Sequence, residues 1–221
     1  MKSFFLFLTL LTGASSFSQV FFYNTIVGET KNNHRILIDE EFFVETIYNI
    51  ENGNFILTRG GYYSRVKNND LHIIFEFNSN YKKDSLKKLV FSDLDKLKAK
   101  SKLKQDLDGK WLMSGRISPD GHEKRRDIKR SRKTLKFLVD GYFQWIAYNT
   151  ETYDFFGSGG GTYYAKGEEY SEVIDFFSRD VTRVGNILSF KYKRNANDWY
   201  HSGLSSKGKP LNEIWTLRKN R

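Results

Sequence analysis

The residues best equipped for chemistry lie in the second half of the 221-residue chain. The run WYHSGLSSKG, from Trp199 to Gly208, places His201 within a few positions of Ser202, Ser205 and Ser206, the residue types of a general base and a nucleophile. No nucleophile-elbow turn surrounds these serines, and no acidic residue is spaced to orient the imidazole. Gln144 and Trp145 bring a side-chain amide and an indole N–H, groups that orient a ligand in an apolar pocket. Alternation at period two puts Gln144, Ile146 and Tyr148 on one face of a strand and Phe143, Trp145 and Ala147 on the other; either face can line a lumen. Arg179, with Asp180 and Arg183, can form an ion-pair corner or hold a carboxylate. Gln144, Trp145, Tyr148, Arg179, Trp199 and His201 are therefore the candidate ligand-binding residues.

Composition removes other chemistries. There is no cysteine, hence no disulfide, thiol nucleophile or Cys-ligated metal. The four histidines, His34, His72, His122 and His201, have no metal-ligand spacing, so neither a metal site nor a cofactor is implied. The glycine-rich run Gly157–Thr162 lacks the Lys-Ser/Thr and the helix that a phosphate loop needs.

The formal charge of +10 is unevenly placed. Residues 81–136 hold 19 Lys and Arg against 8 Asp and Glu, whereas the rest of the chain is close to neutral. Lys96, Lys98, Lys100, Lys102 and Lys104 alternate with other residues, which predicts a strand with five lysines on one face. Residues 121–133, including Arg125, Arg126 and Arg130, have no apolar period and read as a long loop. Lys98, Lys100, Lys102, Arg125, Arg126 and Arg130 are candidates for contact with an anionic glycan or lipid surface; lysines on an edge strand also serve to block pairing. No specific nucleic-acid role is expected.

The elements that must position these residues are strands. In the second half, 109–116, 134–140, 142–149, 153–164, 170–178, 187–193 and 213–217 combine β-branched and aromatic residues with turn signals at Asp140-Gly141, Asn149-Thr150, 166–169 and Gly185-Asn186. Residues 199–208 read as a loop that forms a lid or rim. Sliding the chain by 100 residues aligns 40–80 with 140–180 without a gap, and ten of the 41 positions are identical: Phe43/Phe143, Tyr48/Tyr148, Asn49/Asn149, Glu51/Glu151, Phe55/Phe155, Gly60/Gly160, Gly61/Gly161, Tyr63/Tyr163, Ile74/Ile174 and Phe77/Phe177. About three are expected by chance, so the chain reads as a tandem duplication with a boundary near residue 105. Residues 85–97 have some helical spacing, but their repeat partner is strand-like and they are read as strand. Paired glycines in both halves predict bulges or barrel bends. The fold class is all-β, in two tandem antiparallel barrels or sandwiches over 19–105 and 106–221.

The N-terminus reads as a cleavable signal peptide over 1–18: Lys2, a short apolar run over 4–11, then small residues before a cut after Ser18. The apolar run is too short to span a bilayer, and no transmembrane segment is expected in the mature chain.

The motifs WLMSGR, RKTLKFLVDGYFQWIAYNTET, FFGSGGGTYY, EVIDFFSRDVTRVG and WYHSGLSSKG resemble those of an uncharacterised secreted family of Bacteroidota with a lipocalin-like domain. The resemblance covers 111–218 closely and the first half more loosely. It implies two lipocalin-like, calycin-type barrels and a location in the periplasm, on the outer surface or outside the cell. It implies no catalytic residues.

Three functional readings follow. The first is a non-enzymatic protein holding a small apolar or amphipathic ligand in a barrel. The second is a module that binds lipopolysaccharide or an acidic glycan through 81–136, and the third is a hydrolase using His201.

Overall fold

The computed structural model describes residues 18–66, 70–100 and 104–221, so the signal-peptide reading falls outside the described residues apart from Ser18. The first repeat folds into one antiparallel meander: β1 (Gln19–Val27), β2 (Thr30–Ile38), β3 (Phe42–Asn49), β4 (Phe55–Arg65), β5 (Leu71–Asn78), the single turn α1 (Tyr81–Asp84) and β6 (Lys88–Phe91). The second comprises β7 (Gly109–Ile117), β8 (Glu123–Arg125), β9 (Arg132–Val139), β10 (Tyr142–Asn149), β11 (Phe155–Lys166), β12 (Glu169–Phe177), β13 (Ile187–Asn195), β14 (Asp198–Leu204) and β15 (Pro210–Leu217). Each of these strands pairs with its neighbour, except that β7 pairs with both β8 and β9, and β15 returns to pair with β7. Eight strands thereby close an up-and-down barrel, the architecture of lipocalin-like proteins.

The all-β tandem expectation holds, with one difference of shape. Among the described residues the first repeat has no strands equivalent to β14 and β15, and its six-stranded sheet curls into a half-barrel that stays open. Its concave face is covered by its own chain instead. Leu94, in a 3-10 turn over Leu94–Lys96, is buried there, and Leu97 and Ala99 pack beside it. The described part of the lysine-rich alternation, 96–100 and 104, is not a strand, and 101–103 lie outside the described residues. Among the described residues it makes one isolated bridge, Phe21 to Ala99, while Lys98 and Lys100 point outward. The helical spacing and the strand reading of 85–97 each find a partial counterpart, in the 3-10 turn and in β6.

Shared residues make shared local structure. Asn49 Oδ1 accepts the backbone N–H groups of Glu51 and Asn52, and Asn149 Oδ1 accepts those of Glu151 and Thr152. The same Asx turn thus closes the same hairpin twice. In both repeats the β4–β5 or β11–β12 ladder shifts register at the glycine pair, where a Cβ on Gly61 or Gly161 would run into the carbonyl of Ile74 or Val173. After this point the equivalence slips by one residue: Tyr63 faces Ile73, while Tyr163 faces Glu172. Phe77 is consequently the counterpart of Phe176, and the sequence identities Ile74/Ile174 and Phe77/Phe177 are not structural equivalences.

The convex faces of the two sheets pack on each other with pseudo-two-fold symmetry. Phe55 and Phe155, equivalent residues, stack at 5.7 Å with planes 8° apart. Tyr48 packs on Phe176 at 5.1 Å and Tyr148 on Phe77 at 4.9 Å. Val44, Leu37, Leu135, Phe137 and Ile146 fill the space between. This is the geometry of an isologous dimer contained in one chain.

Candidate functional site

The concave side of β10 decides which face of the Gln144–Tyr148 strand looks into the barrel. Phe143 and Trp145 belong to the lumen cluster, whereas Ile146 and Tyr148 belong to the junction between sheets. Gln144 accordingly leaves the candidate site. It is fully buried in the junction, accepting from Thr46 Oγ1 at 2.7 Å and donating to Thr58 Oγ1 and Ser158 Oγ at 2.9 and 3.0 Å. Tyr148 leaves it as well, its hydroxyl meeting Glu76 at 3.0 Å. Burial beside that carboxylate pushes the Tyr148 phenol well above its ordinary range. Arg179 is exposed, does not line the cavity described below, and donates to the carbonyl of Phe156. Asp180 and Arg183 do form an ion pair at 3.0 Å, and Arg183 also donates to the carbonyl of Ser206, tethering the β14–β15 turn.

Trp199 and His201 are not in a loop but on β14, with alternate residues pointing inward. Pairing of β14 with β13 on one side and β15 on the other gives the segment the ladder its composition only hinted at. Trp199, Trp111, Tyr170 and Phe190 form a packed aromatic floor in the lumen, with Trp111 and Trp199 edge to face at 5.7 Å.

Above this floor the barrel mouth keeps a half-open cavity of about 230 Å³. Its walls include Trp145, Phe177, Leu188, Phe190, Leu211 and Trp215, with Ser205 and Ser206 at the rim. Gly159 makes room for Trp145, since a Cβ there would come 2.8 Å from the indole nitrogen. Four ionisable side chains also reach the cavity: Lys136, Glu172, His201 and Glu213.

Lys136 and Glu172 form a buried ion pair at 2.7 Å, and Tyr170 donates to the same carboxylate oxygen at 2.6 Å. The Lys136 ammonium lies 5.1 to 5.8 Å from the ring centroids of Trp199, Trp215, Tyr170 and Phe143, which supply cation–π attraction where water is missing. His201 is different. It is 3% exposed, wedged among Phe190, Trp199 and Tyr170, and neither ring nitrogen has a hydrogen-bond partner. Its Nδ1 sits 3.7 Å from Glu213 Oε2, beyond hydrogen-bond reach. Burial pushes the His201 imidazole below the ordinary histidine range, so it is neutral at neutral pH. Burial works to raise the Glu213 carboxyl, but His201, Lys136 and Arg116 more than offset it and keep it ionised. His201 makes no hydrogen bond to Ser202, Ser205 or Ser206, so no nucleophile–base pair is formed.

Sequence reading missed Lys136, Glu172 and Glu213. Lys136 stands at the end of the basic stretch, where its charge reads as one more of the surface set. The phase of alternation along β9, with Leu135 and Phe137 on one side and Lys136 and Leu138 on the other, gives no hint of which side is the lumen.

Three of the six basic candidates have partners within the chain. Arg125, on β8 rather than in the expected long loop, pairs with Glu123 and Asp198 at 2.7 and 2.9 Å. Arg126 donates to the carbonyl of Met113 at 2.8 Å, and Lys100 lies over the Phe22 ring at 5.6 Å. Lys98 and Arg130 are exposed, and Lys102 lies outside the described residues. Among the described residues no group of three or more His, Asp or Glu side chains could hold a metal, and no helix is long and apolar enough to cross a membrane.

Comparison with known proteins adds little to this geometry. No family model matches the chain, and no curated protein does. Among solved structures, the chain is similar to a lipocalin-like protein from Bacteroides uniformis ATCC 8492, with a TM-score of 0.37 and 17% sequence identity, covering 52% of this chain and 100% of that one.

Proposed function

We propose that the protein is a non-enzymatic binding protein of the cell envelope or exterior, and that the barrel of the second repeat holds a small apolar or amphipathic ligand. The half-open cavity at the barrel mouth carries this reading, with its aromatic walls and the few polar groups converging on it. Its volume is below the ~300–1,000 Å³ of drug-sized sites, which favours a ligand on the order of ten non-hydrogen atoms. The run around Lys2 and the apolar residues after it support export. The commitment of Arg125 and Arg126 to internal partners leaves a weaker case for an anionic-surface module, and His201 without a hydroxyl partner leaves a weaker one for a hydrolase.

Titration of the purified protein with a library of small amphipathic compounds, followed by tryptophan fluorescence and native mass spectrometry, tests the reading. One-to-one complexes that perturb the emission and vanish in Trp145→Ala are expected. A library that leaves both signals unchanged at millimolar concentration would overturn it.

A further inference from the structure

We infer that the barrel-mouth cavity selects a protonated amine: a small cationic molecule with an apolar body, its ammonium seated between Glu213 and His201. This rests on the proposed binding function and names the ligand's chemistry.

The charge on the cavity lining points there. Lys136 and Glu172 satisfy one another at 2.7 Å and cancel. Glu213 remains, a carboxylate whose side chain is only 13% exposed. Its Oε2 accepts from the Trp215 indole at 3.2 Å, and its Oε1 lies 3.7 Å from the mostly exposed guanidinium of Arg116, at the solvent side. The cavity therefore presents a mostly buried carboxylate whose ion-pair partner, Arg116, is itself mostly exposed to solvent.

His201 supplies the second half of the recognition. A neutral imidazole has one acceptor nitrogen and one N–H, and here both are buried without a partner. Leaving a buried acceptor unpaired costs about 1–3 kcal/mol, a cost that a bound donor would relieve at the acceptor nitrogen. An ammonium carries three donors and no acceptor, so it can give one to Glu213 and one to the imidazole. Trp145, Phe177, Phe190 and Trp215 offer ring faces that attract a cation and shelter an apolar body. A carboxylate ligand would meet Glu213 and Glu172 with like charge, and could be served by Lys136 only by breaking its ion pair.

The test keeps the apolar body constant and changes the head: 2-phenylethylamine, 2-phenylethanol and phenylacetate are titrated into the full protein at pH 7.5 by calorimetry. The amine is expected to bind at least tenfold more tightly than the alcohol, with the carboxylate weakest. Glu213→Gln is expected to bring the amine down to the level of the alcohol while leaving the alcohol unchanged; His201→Phe, which removes the acceptor and keeps the ring packing, should weaken the amine several-fold. If the alcohol or carboxylate binds as tightly as the amine, or if both variants retain the preference, the amine inference fails while the binding function stands. If none of the three binds, even at millimolar concentration, and the compound library is also silent, the binding function itself fails.

Discussion

The two repeats place opposite chemistry at the same positions of one sheet. On the concave face of the first, β2 contributes Ile36 and β5 contributes Ile73; the equivalent residues of the second are Lys136 and Glu172. Where β3 and β4 carry Glu45 and Arg59, β10 and β11 carry Trp145 and Gly159. The half-barrel is apolar at its centre and charged near its rim, where Glu45 accepts from Tyr23, His34 and Arg59. The barrel inverts this, with an ion pair in the interior and an indole at the mouth. Closure explains why both arrangements are tolerated. Without β14 and β15 the first sheet must fill its concavity with Leu94 and Leu97 from its own chain, and a charge in that packed layer would lack water and partners alike. The closed barrel has a ring of aromatic faces to surround Lys136 and can leave its upper end empty. Of the two repeats, one is a packed scaffold and the other a barrel with a lined cavity.

The largest test of that contrast is to rewrite the barrel interior in the language of the half-barrel. Lys136→Met leaves the Glu172 carboxylate buried with only the Tyr170 hydroxyl, and should cost about 3–5 kcal/mol in urea unfolding. The double change Lys136→Ile with Glu172→Ile should recover most of that loss. A single change costing under about 1 kcal/mol would show that the pair is not sealed from water.

The second test concerns acid. Burial works to raise the Glu45 carboxyl, but the hydrogen bond from His34, the charge of Arg59 and further hydrogen bonds from Tyr23 and Arg59 bring it down to about 2 from an ordinary 4.5. A folded value below the unfolded one stabilises above the unfolded value, so this contribution is complete above about pH 4.5 and is lost as pH falls toward about 2. The amount is on the order of 3 kcal/mol. Glu45→Gln should lower stability at neutral pH and flatten the acid slope in that window; an unchanged slope would move the acid sensitivity to other carboxylates.

The smallest effect is expected at the junction. Gln144→Val copies Val44, its counterpart. The hydroxyls it abandons keep other partners, Thr46 with Thr58 at 2.8 Å, Thr58 with the Glu45 carbonyl at 3.0 Å and Ser158 with the Trp145 carbonyl at 2.7 Å. The loss should be about 1 kcal/mol by chemical denaturation, the net worth of a typical hydrogen bond. A loss of 3 kcal/mol or more would mean that this amide fixes the register of one repeat on the other.

Much of the architecture was legible because it is local. Period-two alternation, Asn49 and Asn149 at the hairpin turns, and Gly61 and Gly161 at the bulges each act on neighbours in sequence, and each does the same thing in both repeats. β14 escaped because Ser202, Gly203 and Ser205 give the segment the look of a loop, although Trp199 and His201 already keep the phase of a strand. The one-residue slip between β5 and β12 was invisible because it arises in the hairpin before them, longer between Arg65 and Leu71 than between Lys166 and Glu169. Of the candidate ligand residues, Trp145 and His201 line the cavity and Trp199 forms its floor, while Gln144 and Tyr148 face the other repeat and Arg179 faces solvent.

By itself the sequence determined an all-β chain, its duplication and its turns, since strand period and turn chemistry depend on residues a few positions apart. Only the tertiary structure decided which repeat closes, which face of each strand is the lumen, and that Lys136, Glu172, His201 and Glu213 meet. The physical reason is that a meander brings β9, β12, β14 and β15 together through barrel closure, a long-range condition that no local pattern encodes.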